Sequence, residues 1–426
     1  MLPTRILLEE GLYRVEGPAR LKVVEGSFYA LGRTFETKQT LIVPREVVIC
    51  IKVLGKCVVE ALVKGSLDVA PPDEEVIDEW RSLSETIVSE RGRRVLIVGE
   101  VDSGKTTFAT FLLNTALRDG LRVALIDADV GQNDVGYPGT IALATPHKLV
   151  SWLGELEPAA LYFVGSNTPS GLEDAVVLGV RKLVRVAEHY DMTVVNTDGW
   201  VSDRRARMYK ARLVESVDPD ILVVMRGTGA SEYLARMFER SSMKVVRAPT
   251  PPGAKGKERG LRRMRRELAY VNLLLRSSVK RIDLRSVRFY GVCSFNGERM
   301  EGGIIETLSS LLGSEVYAES CGNTVVVAVY DSKAYRLALE SREKLAKLIG
   351  RELLVINLRE LRGLLVGLLD SRLQCVGVGV LEEVEPLKGY LTLKTPASLD
   401  DVRFIVPGRL RISERGVELR RGLPLV

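Results

Sequence analysis

Arg94-Val-Leu-Ile-Val-Gly-Glu-Val-Asp-Ser-Gly-Lys-Thr-Thr-Phe-Ala-Thr-Phe-Leu-Leu113 is the stretch that decides the fold. It opens with a short β-branched apolar run, Val95 to Val98, as a buried parallel strand does. Gly99 to Thr106 then satisfies G-x-x-x-x-G-K-[ST] at every fixed position. From Thr107 to Leu117 the apolar residues recur at helical spacing without Gly or Pro. Strand, glycine-rich loop and helix are the context that this motif requires. The glycines let the backbone curl so that N–H groups converge on phosphate oxygens, and the positive end of the helix dipole faces the same point. Lys105 adds a mobile charge for the β/γ-phosphates, and the Thr106 hydroxyl is placed for Mg²⁺. Gly99, Asp102, Ser103, Gly104 and Thr107 complete the nucleotide-binding candidates. A chance Gly-Lys-Thr turn would not carry both correct flanks.

The rest of the composition sets limits. The chain has 426 residues, 46% hydrophobic and 27% charged, enough for several cores of their own. No apolar run reaches the roughly 18 residues of a membrane span. The N-terminus turns acidic at once, so no secretory signal is expected. Five scattered cysteines form no C-x-x-C pair and read as reduced, small hydrophobes of a cytoplasmic protein. With two histidines, a His-built metal site or a Ser/His triad is disfavoured. A net charge of +6 suits a polyanionic partner. Three glutamines beside abundant Arg, Lys and Glu lean towards a thermophile.

Outward from the motif, the expected architecture is α/β. A P-loop NTPase domain with a mainly parallel sheet (89–278) is flanked by an N-terminal β-sandwich-like domain (1–88) and a C-terminal β-rich, α+β domain (279–426). Residues 71–75, Pro-Pro-Asp-Glu-Glu, mark the first boundary and precede a connecting helix through Trp80. Leu121–Ile126 reads as a strand beside the P-loop strand, ending in Asp127-Ala-Asp129-Val-Gly-Gln132. Carboxylates at that end of an α/β sheet sit where the metal and γ-phosphate lie. For a single Asp, a helix cap or turn would be an even alternative. Further strands lead to Ser166-Asn-Thr168 and to Asn196-Thr197-Asp198-Gly199-Trp200. Trp200 either fills a core or offers a flat face to a nucleobase, and its place on the binding edge favours the second. Lys255 to Arg266 holds seven cations against one acid. Arg259, Arg263 and Arg266 share one helical face, a lid over a transferring phosphoryl rather than a merely solvated surface.

Taken together, GEVDSGKTT, DADVGQ, PGT, FVGSNTPSG, NTDGW and an arginine-rich lid resemble the polynucleotide 5′-hydroxyl kinase family, which includes the RNA kinases of messenger- and ribosomal-RNA processing, here of prokaryotic or archaeal type. The resemblance implies that Lys105 and Thr106 hold ATP or GTP and Mg²⁺, that Asp127 supports the metal's water shell, and that Asp129 orients or deprotonates a 5′-hydroxyl. It places Thr197, Gly199 and Trp200 on a substrate clasp and Arg259 and Arg263 on the lid. Gln132, Ser166, Thr168 and Arg266 are further substrate candidates. Asp198 departs from the family's usual choice and sets a carboxylate near RNA phosphates. The lid spacing also fits Arg262 and Arg266. The expected activity is phosphorylation of the 5′-OH of RNA, with DNA as a second acceptor. An NTP-bound scaffold without turnover is the alternative. A dimerising metal-chaperone NTPase is disfavoured, for want of a second signature lysine and of a Cys/His site.

Overall fold

The computed structural model describes residues 2–45, 47–90, 93–227, 229–252 and 259–419, with Arg259 described in its backbone only. The chain divides into two compact units: residues 1–160 with 168–265, and residues 161–167 with 266–426.

In the first unit, the N-terminal segment folds as two antiparallel sheets of four and five strands. Alternating strands such as Ala19–Glu25, buried at every second residue, face a shared core that includes Leu21, Phe28, Phe35, Leu41 and Ile51. The helix Ile77–Ser89 follows. Then comes the P-loop strand Arg94–Val98, with four of its five residues buried, as a strand covered on both faces must be.

Among these elements the sheet runs Lys244–Ala248, Ile221–Met225, Arg94–Val98, Met192–Thr197, Val123–Ala128, Thr140–Ala144. Every neighbour is parallel except the last strand, which pairs antiparallel with Val123–Ala128. The strand that ends in Asp127 is therefore not beside the P-loop strand, contrary to the sequence reading. The connection through the helix Lys105–Arg118 skips one position, and Met192–Thr197, arriving later in the chain, fills it.

The N-terminal sheets dock on the P-loop helix through Asn114, which is fully buried. Its Nδ2 donates to the carbonyls of Leu31 at 2.7 Å and Val150 at 2.8 Å, and its Oδ1 accepts the Val150 N–H at 2.9 Å. Three backbone groups that would be orphaned in the interior are thereby satisfied.

The second unit contains an antiparallel sheet built from Leu364–Leu369, Cys375–Glu385, Tyr390–Thr395, Phe404–Arg411 and Ser278–Asp283. It also holds a smaller sheet of Glu298–Arg299, Val316–Cys321, Thr324–Val329 and Glu352–Asn357, carrying three helices. The cysteines correct the sequence reading: Cys293 and Cys321 are disulfide-bonded, their Cα atoms 5.9 Å apart. Cys50, Cys57 and Cys375 are free. No helix of the described residues is long and apolar enough to cross a membrane.

Candidate nucleotide and acceptor site

The P-loop is shaped from beneath. Gly104 has φ +90°, and a Cβ there would lie 3.0 Å from the Trp80 ring. Trp80 is wedged edge-on against Phe108 and Phe111 and donates its indole N–H to the Pro249 carbonyl at 2.8 Å. Lys105 is buried, with Nζ turned to the Glu100 carbonyl at 2.5 Å. Burial pushes its pKa down to about 8; nearby Asp129 pulls in the opposite direction. An anionic triphosphate would restore the charge that burial disfavours.

Two strand ends meet beside the loop. Asp127 is fully buried, and its pKa is pushed up to about 8, first by burial and then by the charges of Asp134 and Asp129. Its Oδ2 accepts the Asp134 N–H at 2.8 Å. Asn196, on the intervening strand, donates Nδ2 to Asp127 Oδ1 at 3.1 Å and to Thr106 Oγ1 at 3.3 Å. It thus ties the metal candidate of the P-loop to that of the neighbouring strand. The Asn196 Oδ1 is buried with no hydrogen-bond partner among the described residues. A hydroxyl and a carboxylate tied together by the Asn196 amide form a hard-oxygen pair, which fits Mg²⁺ with most of its water shell. Asn196 stood in the quoted NTDGW motif, yet the sequence reading assigned it no role. A buried Asn at the end of a central strand is the signal that could have found it.

Asp129 lies just beyond. Its Oδ1 accepts the N–H groups of Gly131 and Gln132, both at 3.0 Å, so the turn predicted as its alternative role and the open carboxylate coexist. Its Oδ2 has no hydrogen-bond partner among the described residues. Burial, with Asp198 behind it, raises its pKa, while Lys105 opposes the rise.

The clasp is more internal than the sequence suggested. The Thr197 hydroxyl is fully buried and donates to the Ile97 carbonyl at 2.8 Å. A Cβ on Gly199 would lie 2.6 Å from the Val101 backbone, so only glycine lets the clasp meet the P-loop. Asp198 turns inward, accepting from Tyr209 Oη at 2.8 Å and Lys210 Nζ at 2.9 Å. Its charge is balanced inside the fold. Trp200 is half-buried, stacked on Tyr209 at 5.9 Å.

On the lid helix Arg259–Leu275, the side chain of Arg259 lies outside the described residues. Arg262 pairs with the P-loop carboxylate Asp102 at 2.5 Å, and Arg265 with Asp134 at 2.5 Å. Gln132 Nε2 reaches the Arg262 carbonyl at 3.3 Å. This helix therefore touches both the P-loop and the loop after Asp129. Arg266 belongs to the second unit, held by Glu418 at 2.5 and 3.0 Å. Ser166 also belongs there, whereas Thr168 falls in the first unit.

Comparison with known proteins agrees with this arrangement. Residues 99–274 match the family model of the mRNA cleavage and polyadenylation factor CLP1 P-loop. The chain is 33% identical to a polyribonucleotide 5′-hydroxyl-kinase of Thermococcus kodakarensis over 349 residues, covering 81% of this chain and 96% of that one. A protein of the same name from Methanocaldococcus jannaschii is 29% identical over 80% of this chain and 93% of its own length. Among solved structures, a wild-type Clp1p–Pcf11p complex aligns with a TM-score of 0.63 at 13% identity, covering 96% of this chain and 98% of that one, a likeness of fold. With the P-loop, the paired aspartates and the clasp all in one sheet edge, and this extent of similarity around them, the chain belongs to the polyribonucleotide 5′-hydroxyl-kinase family.

Proposed function

We propose that this chain transfers the γ-phosphate of ATP or GTP to the 5′-hydroxyl of RNA. The observation that carries the reading is Asp129. One oxygen is pinned by two backbone N–H groups while the other has no hydrogen-bond partner among the described residues, on the same sheet edge as Lys105. A carboxylate held that way can orient a hydroxyl and accept its proton as the oxygen attacks phosphorus. Its raised pKa brings its basicity closer to neutral pH. Lys105 leaves the Glu100 carbonyl and takes the β/γ-phosphates, and the loop amides cradle them. Thr106 and Asp127, oriented by Asn196, would hold Mg²⁺, whose chemistry is to neutralise charge on phosphate oxygens. Lid arginines, Arg262 and Arg263 on the described helix and Arg259 at its start, supply cationic groups to the spreading charge. Trp200 offers its outer face to the terminal base. Thr168, in the same compact unit as the P-loop, contributes to acceptor binding.

The experiment is label transfer from γ-³²P-ATP or γ-³²P-GTP to a 5′-OH oligoribonucleotide, with a matched deoxyribonucleotide in parallel. The wild type labels RNA, and Lys105→Ala loses at least about 100-fold in rate. Normal labelling by Lys105→Ala would refute the assignment. Nucleotide retention with no transfer by the wild type would make the protein a nucleotide-bound scaffold.

A further inference from the structure

Beneath the clasp lies an ion pair that the transfer chemistry leaves unused. Lys210 is 0% exposed and Asp198 5%. Lys210 Nζ donates both to Asp198 Oδ2 and to the Asp198 carbonyl, each at 2.9 Å. Tyr209 Oη donates to the same Oδ2. The other carboxylate oxygen accepts the backbone N–H of Trp200 at 2.9 Å. Each of these bonds to the Asp198 carboxylate is therefore spent on the bend that presents Trp200.

The indole is fixed at two further points. Its inner face lies on the Tyr209 ring, 5.9 Å between centroids and 29° from parallel. Its Nε1 donates to Asp203 Oδ2 at 2.6 Å, and Asp203 Oδ1 caps the helix Arg204–Val217 through the Ala206 N–H. Tyr209 and Lys210 sit on that same helix. A buried ion pair is a poor way to gain stability, because desolvation offsets much of the attraction. An apolar pair of equal volume would hold the helix as well, but it could not grip a carbonyl, a backbone N–H and a phenol at once. What the charged pair adds is one defined geometry for the bend.

We infer that Asp198, Tyr209 and Lys210 form a positioning unit for the acceptor strand. They hold the indole of Trp200 so that its outer face receives the 5′-terminal base of RNA, and they touch neither nucleotide nor transferring phosphoryl. The inference rests on the kinase reading for its ligand. It also accounts for Asp198 in a clasp that meets polyanions, since the carboxylate faces Lys210 rather than the acceptor.

The test is steady-state kinetics with a 5′-OH oligoribonucleotide, together with direct binding of the same RNA by fluorescence anisotropy. Tyr209→Leu should raise the KM for RNA about tenfold, as expected for disturbed base stacking, while kcat and the KM for ATP stay within about twofold. Lys210→Met alone leaves a buried carboxylate unpaired and endangers folding. The double variant Asp198→Asn/Lys210→Met removes both charges and keeps the question open to measurement. It should raise the KM for RNA as Tyr209→Leu does, while its kcat also shifts because Asp198 acts on Asp129, whereas Tyr209→Phe, which retains the ring, should shift KM less. In a Trp200→Ala background, Tyr209→Leu should have no additional effect on RNA binding, because both act through one ring. An unchanged RNA KM in folded Tyr209→Leu, or effects that simply add to those of Trp200→Ala, would overturn the inference. Absence of transfer by the wild type would refute the kinase reading instead. The anisotropy comparison of Tyr209→Leu with wild type would still decide the positioning role.

Discussion

Asn196 is where single residues matter most. Its amide links Thr106, on the P-loop helix, to Asp127 on the neighbouring strand, and its oxygen has no partner among the described residues. Asn196→Ala should lower kcat by about 10–100-fold, as loss of a residue that orients metal ligands does, with an unchanged circular dichroism spectrum. Gly199 is equally exacting, since a methyl group there meets Val101 at 2.6 Å. Gly199→Ala should push the P-loop out of shape and weaken nucleotide binding, measurable by titration calorimetry. At this scale the sequence was partly legible. Lys105, Thr106, Asp127 and Asp129 stand out as candidates by type and spacing, because phosphate and metal chemistry allow few alternatives. Asn196 and Lys210 do not, because their roles arise from which strand and helix come to lie beside them. The inward turn of Asp198 likewise depends on Lys210, twelve residues away.

Among the elements, the P-loop helix has two tasks. Its first turn faces the phosphates, and its later turns hold the N-terminal sheets through Asn114. Asn114→Leu keeps the branched shape, with larger methyl groups, but strands the Leu31 carbonyl and both Val150 groups. A loss of about 3 kcal/mol follows, lowering Tm by roughly 6–12 °C in a calorimetric scan. The helix from Arg259 was foreseen from the spacing of its arginines, but the partners of its face were not. The i, i+4 and i+7 spacing fixes a face without saying what that face meets, and it is Arg262 that pairs with Asp102. Strand order was also hidden. Apolar runs reveal that Val123–Ala128 and Met192–Thr197 are strands, while the crossover that leaves a gap for the second is a property of three-dimensional packing.

For the molecule as a whole, the β-rich flanks were readable from short alternating runs and turn residues. The Cys293–Cys321 link was not, because spacing alone says nothing about which chain segments neighbour each other. It closes a loop 28 residues apart in sequence. Cross-linking a loop of that length is worth about 3–4 kcal/mol by chain entropy. Dithiothreitol, or Cys293→Ser with Cys321→Ser, should therefore lower the melting temperature of the second unit. Scans with and without reductant check this, and identical curves would show the bond to be thermally silent.

Trp80 touches Gly104 on one side and the Pro249 carbonyl on another, and it stands on the helix that leads out of the N-terminal sheets. When phosphates settle into the loop above it, the indole loses freedom to shift, and so does its helix. Amide protons from Ile77 to Ser89 should then exchange with deuterium more slowly once ATP is added, so that occupancy of the catalytic pocket is recorded by a segment that never meets the ligand.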